Sequence, residues 1–128
     1  MQNRMTLAEN KHTLVLGAST NTSRYSNICI HELVHHHIPV SAIGLRPGTV
    51  AGVEIQTGEP LLAQVHTITL YLGAPRQEQY FDYIVSLNPE RIIFNPGTWN
   101  PELETLAKKH GIQTLSRCTL MMLSAGSY

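Results

Sequence analysis

The chain has 128 residues, a formal net charge of zero, 14% charged residues and 42% hydrophobic residues. That suffices for one domain with its own core. It excludes the clustered Lys and Arg of a nucleic-acid surface, and the apolar runs are too short to span a bilayer. The N-terminus lacks the apolar stretch of a secretory signal, and Cys29 and Cys118 are too few for a disulfide framework. A cytoplasmic protein with reduced thiols is expected. Residues 1–10 read as a polar arm without a period, and residues 11–128 as the domain.

The first predicted strand is His12–Leu16, and it ends abruptly in Gly17-Ala18-Ser19-Thr20. A helix is predicted around Tyr25–His37, where Ile30, Leu33 and Val34 recur at i, i+3 and i+4 beside Cys29. The second strand is Val40–Ile43. The stretch Gly44–Gly58 carries four glycines and Pro47 among Val50, Val53 and Ile55, and reads as a loop with one or two short strands. Glu59–Gln64 is expected to form a helical turn.

The third strand is Val65–Leu72. Pro75 suits the first position of a helix whose Tyr80, Ile84 and Leu87 recur at i, i+4 and i+7. The fourth strand is Arg91–Phe94. Asn100-Pro101-Glu102 has the form of an N-cap, a proline at N1 and an early acid. Leu103, Leu106 and Ala107 form that helix's apolar stripe, and Gly111 its stop. The fifth strand is Ile112–Leu115. Short β-branched and Leu-rich runs alternating with helices predict a Rossmann-like α/β fold. Its sheet would be open, parallel and five-stranded, with helices on both faces in three αβα layers.

Strand, Gly-Ala-Ser-Thr loop and helix in succession form a place where an anion meets helix N–H groups. The loop is not the dinucleotide fingerprint: no second or third glycine follows Gly17, and Ser19, Thr20, Thr22 and Ser23 occupy it instead. The ligand class is thus a nucleotide or a coenzyme with a pyrophosphate. Three more loops should share its end of the sheet: Gly44-Leu45-Arg46-Pro47, Gly73-Ala74-Pro75-Arg76 and Asn95-Pro96-Gly97-Thr98-Trp99. An NAD site places an acid at the end of the second strand. Here the sequence runs Ala42-Ile43-Gly44-Leu45-Arg46, with a cation instead. That favours a ribose phosphate, hence NADP or coenzyme A.

Taken together, these residues resemble the small stand-alone CoA-binding proteins, whose domain is shared with the N-terminal part of the succinyl-CoA synthetase alpha subunit. The likeness runs from Thr13–Asn21 and Arg24-Tyr25-Ser26-Asn27 through Ile38-Pro39-Val40 and Tyr80–Ile84. It continues in Ile92-Ile93-Phe94-Asn95-Pro96-Gly97-Thr98, Asn100–Glu104 and Cys118-Thr119-Leu120. The resemblance implies that Gly17, Ala18, Ser19 and Thr20 surround the diphosphate of coenzyme A or an acyl-CoA, and that Arg24, Tyr25 and Ser26 close over it. Gly44, Leu45 and Arg46 would flank the adenosine, and Leu72 and Gly73 would line the pocket. Arg76, Asn95, Pro96 and Gly97 complete the expected set. The family's Pro-Lys or Pro-Arg pair after the second strand is replaced here by Gly-Leu-Arg-Pro. The larger synthetases keep a catalytic histidine in a second domain, so their ligase chemistry is not carried over.

Other residues read as structural. Consecutive His35, His36 and His37 point about 100° apart on a helix and cannot share one ion. His31 and His35 share a face but lack a third ligand, so a polar helix end is expected. Cys118 is expected to be buried and structural. Trp99 stands either as a ligand stack or a helix-entry anchor, and Leu120–Leu123 either packs back or meets a partner chain. No catalytic constellation emerges. The reading is a binding domain for a small-molecule coenzyme, with no nucleic acid or membrane partner. An NADP-linked reductase domain, a homo-oligomer and a subunit of a larger acyl-CoA enzyme are the alternatives.

Overall fold

The computed structural model describes residues 11–128, so the arm expected at 1–10 lies outside the described residues. The strands are β1 (Thr13–Ala18), β2 (Val40–Gly44), β3 (Gly48–Val50), β4 (Val53–Gln56), β5 (Thr67–Leu70), β6 (Arg91–Phe94) and β7 (Gln113–Ser116). They form one sheet in the order β3-β4-β2-β1-β5-β6-β7. All pairings are parallel except β3 with β4. The helices are α1 (Tyr25–His35), α2 (Ala74–Gln77), α3 (Phe81–Leu87), α4 (Pro101–Lys109) and α5 (Thr119–Ala125), with a 3₁₀ turn at Glu78–Tyr80.

The five expected strands form as β1, β2, β5, β6 and β7, but the sheet is seven-stranded. The two additions come from the Gly-rich stretch. Ala51 and Gly52 both have positive φ, +50° and +81°, which is the backbone of a two-residue hairpin turn. The turn folds β3 back on β4 so that Val50 and Ile55 are buried. Residues 59–64 form no helix. α5 is a further element, formed where the tail packs back on the domain.

The sheet has a core on each face, which makes three layers. Leu14, Leu16, Ile43, Ile68 and Ile92 pack with Tyr83, Ile84, Leu103 and Ala107 of α3 and α4. Val15, Ala18, Ala42 and Ile55 pack with Cys29, Ile30 and Leu33 of α1 and with Leu123 of α5. Burying each such Leu or Ile side chain contributes roughly 1.5–3 kcal/mol. Leu16 and Ala18 flank a register shift against β2. The extra residue there, Gly17, returns Ala18 to the Val15 face. α4 starts as expected: Asn100 Oδ1 accepts from the N–H groups of Glu102 at 3.1 Å and Leu103 at 3.4 Å.

Candidate functional site

The chain leaves β1 for β2 on one side and returns to β5 on the other. Strand order therefore reverses between β1 and β5, the crevice where open α/β sheets take ligands. Every residue of the expected set lies at this end, in the segments that follow β1, β2, β5 and β6 or at their last residues. Gly17 sits at the switch itself, with φ +104°. A Cβ there would lie 2.9 Å from the Tyr71 carbonyl carbon and 3.2 Å from Leu72 Cδ2. Gly17 thus lets the end of β1 approach the end of β5 in a conformation L side chains rarely adopt.

The loop after β1 braces itself. Ser19 Oγ accepts from Asn21 N–H at 3.0 Å, and Asn21 Oδ1 accepts from Ser23 N–H at 3.0 Å and Ser23 Oγ at 2.7 Å. Asn27, buried in the first turn of α1, donates to the Ser19 carbonyl at 3.0 Å. Arg24 is the N-cap of α1 but makes no side-chain cap. Asn27 N–H donates to the Arg24 carbonyl at 3.1 Å, while the Tyr25 and Ser26 amides have no partner within the helix and suit an anion. Arg24 and Tyr25 are exposed, while Ser26 is buried.

The second loop meets the first through its glycines. A Cβ on Gly44 would collide with the Ala18 carbonyl oxygen, and one on Gly48 with Thr20 Cγ2. Leu45 and Arg46 project into solvent beside this junction, Leu45 being 74% exposed. Sequence reasoning placed Gly44 in the site and had no signal for Gly48.

The ends of β5 and β6 are joined by two buried amides. Asn95 Nδ2 donates to Thr69 Oγ1 at 2.7 Å and to the Leu70 carbonyl at 2.8 Å. Its Oδ1 accepts from Thr119 N–H at 2.8 Å. Gln77 Nε2 donates to the Leu72 carbonyl at 2.8 Å and the Thr98 carbonyl at 2.7 Å, leaving its Oε1 buried without a partner. Asn95 is therefore fully engaged inside the protein and acts by holding the loops. Pro96, Gly97, Gly73 and Arg76 are the exposed members of this half. Gln77 was not legible in sequence, since its partners lie 5 and 21 residues away. Trp99 is 55% exposed, and its Nε1 donates to Glu104 Oε1 at 3.3 Å.

Behind the loops, burial pushes the Cys29 thiol up to about 12 and raises the Tyr71 phenol as well. The Tyr71 hydroxyl is buried beside Cys29 and Thr69 without a hydrogen bond of normal geometry. Both groups stay protonated near neutrality, so neither supplies a base or a nucleophile there. Cys118 is half-buried rather than buried. The histidines at 31 and 35–37 are exposed, and among the described residues no three His, Cys, Asp or Glu side chains come together as a metal site. Nor is any described helix long and apolar enough to cross a membrane. A hollow of about 610 Å³ opens at the opposite end of the sheet, lined by His12, Pro39, Val65, His66, Asn88 and Glu90 among others. It lies where strands begin and holds no residue of the expected set, so the switch point remains the better candidate.

No curated protein matches the chain. Among solved structures, an uncharacterized protein shares 42% identity with a TM-score of 0.89, over 92% of this chain and 98% of that one. The cell-free ID.343 protein from Thermus thermophilus has the same fold at 19% identity and TM-score 0.83, over 99% and 97% of the two chains. The dinucleotide forming acetyl-coenzyme A synthetase 1 of Ca. Korarchaeum cryptofilum, solved with phosphate and ADP, has 16% identity and a TM-score of 0.71. There 91% of this chain corresponds to only 28% of the larger one. The family described as CoA binding domain matches residues 11–124, and the chain belongs to that family.

Proposed function

We propose that this protein binds coenzyme A or an acyl-CoA through its ADP diphosphate at the strand-end loops, and that it acts as a binding module without chemistry of its own. One observation carries the reading. At the β1–β5 switch point and the adjoining β1–β2 loop junction a self-braced hydroxyl loop, an uncapped helix start and three close-approach glycines converge, with Arg46 at the neighbouring strand end. Backbone amides and hydroxyls suit a diphosphate, and a guanidinium suits the ribose phosphate. Gly17, Ala18, Ser19 and Thr20 would hold the diphosphate, with Arg24, Tyr25 and Ser26 at its edge. Gly44, Leu45 and Arg46 would flank the adenosine. Leu72, Gly73, Arg76, Pro96 and Gly97 would line the path of the pantetheine arm, with Asn95 fixing its floor.

Calorimetric titration of the purified protein with CoA, acetyl-CoA, NAD and NADP tests this. CoA or acetyl-CoA is expected to bind more tightly than either nicotinamide coenzyme. Tight NADP binding with no CoA heat would replace the reading with an oxidoreductase-like domain.

A further inference from the structure

Thr13, Thr67 and Arg91 are the first residues of β1, β5 and β6, at the end of the sheet opposite the candidate site. Tyr128 joins them there. Its hydroxyl bonds Thr13 Oγ1, and its backbone oxygen accepts from Lys11 Nζ at 2.7 Å. Arg91 Cζ lies over its ring, 4.5 Å from the centroid. Thr13 Oγ1 donates to the Lys11 carbonyl at 2.8 Å, so the Tyr128 hydroxyl is the donor to Thr13. Arg91 is buried; its Nε donates to Thr67 Oγ1 at 2.8 Å, and its Nη2 has no partner. The ion pairs among the described residues are His36–Glu32 and Lys108–Glu104, so neither Arg91 nor Lys11 is paired with a carboxylate. Two cations thus meet a neutral ring and neutral hydroxyls.

His66 can change its charge beside them. Its Nδ1 lies 2.7 Å from Thr67 Oγ1. Arg91 can only donate, so the Thr67 hydroxyl accepts from it and gives its own proton to the imidazole, which accepts only when neutral. Burial lowers the pKa of that ring below the usual 6.5, with Arg91 and Lys11 acting alongside and Glu90 against. Glu90 is exposed, and water screens its charge. The carbonyl of His12 accepts the His66 N–H at 2.8 Å, but the His12 ring is engaged elsewhere. Its Nδ1 meets the carbonyls of Ala63 at 3.1 Å and Gln64 at 3.3 Å, and its Nε2 meets Ser41 Oγ at 2.7 Å. A proton on His66 reverses the bond to Thr67. Two N–H groups then point at Thr67 Oγ1, and a third cation stands beside Arg91 and Lys11.

Tyr128 is also the outer anchor of α5. The inner anchor is Thr119, whose N–H meets Asn95 Oδ1 and whose Oγ1 lies 2.8 Å from Thr69 Oγ1, at the candidate site. Met122 and Leu123 are buried between the two anchors. Thr67 and Thr69 share one face of β5, so the helix and its tail form a strap fastened at both ends to the same strand. We infer that this strap has an acid-released latch: protonation of His66 frees Tyr128 from Thr13 and Arg91 and lets α5 loosen beneath the loops of the candidate site. The latch stands apart from the coenzyme reading, and only its effect on ligand binding rests on that reading.

Amide exchange followed by NMR tests it, with the rates corrected for their intrinsic pH dependence. The probe is the Ser127 N–H, which donates to the Met122 carbonyl at 2.8 Å, and the reference is the Val15 N–H in β1. Ser127 is expected to exchange well ahead of Val15, through opening of the strap alone. Its protection should fall about three- to tenfold between about pH 7.5 and about pH 5.5, tenfold being the ceiling for one proton over one pH unit. His66→Gln should abolish that fall, and Tyr128→Ala should leave Ser127 poorly protected at both pH values. Constant protection in the wild type, or one common rate for Ser127 and Val15, would overturn the latch. A fall that persists in His66→Gln would overturn the assignment to His66, and full protection in Tyr128→Ala the assignment to Tyr128. Saturating CoA should raise the protection of Ser127. Calorimetric binding of CoA without that rise would overturn the link to the site, whereas absence of CoA binding would overturn the coenzyme reading and leave the latch to the exchange rates.

Discussion

Asn95 accepts the Thr119 N–H at 2.8 Å through its Oδ1, so the first residue of α5 is capped by a side chain from the end of β6. Cys118, the N-cap, provides no side-chain bond of its own. The same Asn95 amide holds Thr69 and the Leu70 carbonyl, and Thr69 Oγ1 lies 2.8 Å from Thr119 Oγ1. One buried side chain thus ties β5, β6 and α5 together under the loops of the candidate site.

Asn95→Leu is expected to lose all three bonds and to strand the buried Thr119 N–H, while Thr69 Oγ1 keeps only Thr119 Oγ1. Each buried unsatisfied group costs about 1–3 kcal/mol, so the variant should be destabilised by about 3 kcal/mol or more. Urea denaturation measures this directly. A loss under about 1 kcal/mol would mean that water replaces the amide without difficulty.

Gly17 and Gly111 separate conformational strain from crowding. Both have positive φ, +104° and +74°. A Cβ on Gly111 would meet nothing within 4 Å, whereas one on Gly17 would press on the Tyr71 backbone at 2.9 Å. Gly111→Ala should cost about 1 kcal/mol. Gly17→Ala should cost clearly more, because the neighbour is backbone and cannot rotate away. It should also weaken CoA binding, since β5 must shift at the switch point. Thermal denaturation of the two variants side by side checks the order, and equal losses would remove the close-approach argument.

His66 makes stability depend on pH. Burial lowers its pKa below the usual 6.5, and Arg91 and Lys11 act in the same direction against Glu90. The unfolded chain therefore takes up the proton more readily than the folded one. The contribution is fully present above 6.5 and is lost as pH falls from there through the folded value. Urea midpoints should fall with acidification over that window, and His66→Gln should flatten the decline. An identical decline in the variant would assign the effect to other groups.

The parallel sheet was legible because its strands are short apolar runs bounded by Gly, Pro and Asn, a local pattern. α4 was legible for the same reason: Asn100 caps it from within. α5 was not, because its cap comes from Asn95, 24 residues upstream. β3 and β4 were half legible, since Val50, Val53 and Ile55 are interspersed among the glycines, but the hairpin depends on Ala51 accepting a positive φ. In the site, loop positions followed from strand ends. The roles did not: Asn95 looked like a ligand contact and is a buried brace, and Gly48 and Gln77 are identified only by contacts distant in sequence.

Arg46 gives the sharpest test of how the coenzyme would be read. It is exposed beside the Ala18–Gly44 junction, and no carboxylate follows β2 there. A charge-assisted bond from guanidinium to phosphate contributes about 1.5–3 kcal/mol. An exposed arginine competes with water, so the lower end of that range applies. Arg46→Ala should weaken CoA roughly tenfold, which corresponds to about 1.4 kcal/mol. The same change should leave 3′-dephospho-CoA nearly untouched, because that ligand lacks the phosphate. Two proteins and two ligands form a cycle that isolates the contact from any general loosening of the loop. If both ligands weaken equally, Arg46 supports the loop and another group reads the phosphate. If neither weakens, the adenosine lies away from β2, and the assignment of Gly44, Leu45 and Arg46 to its pocket is overturned.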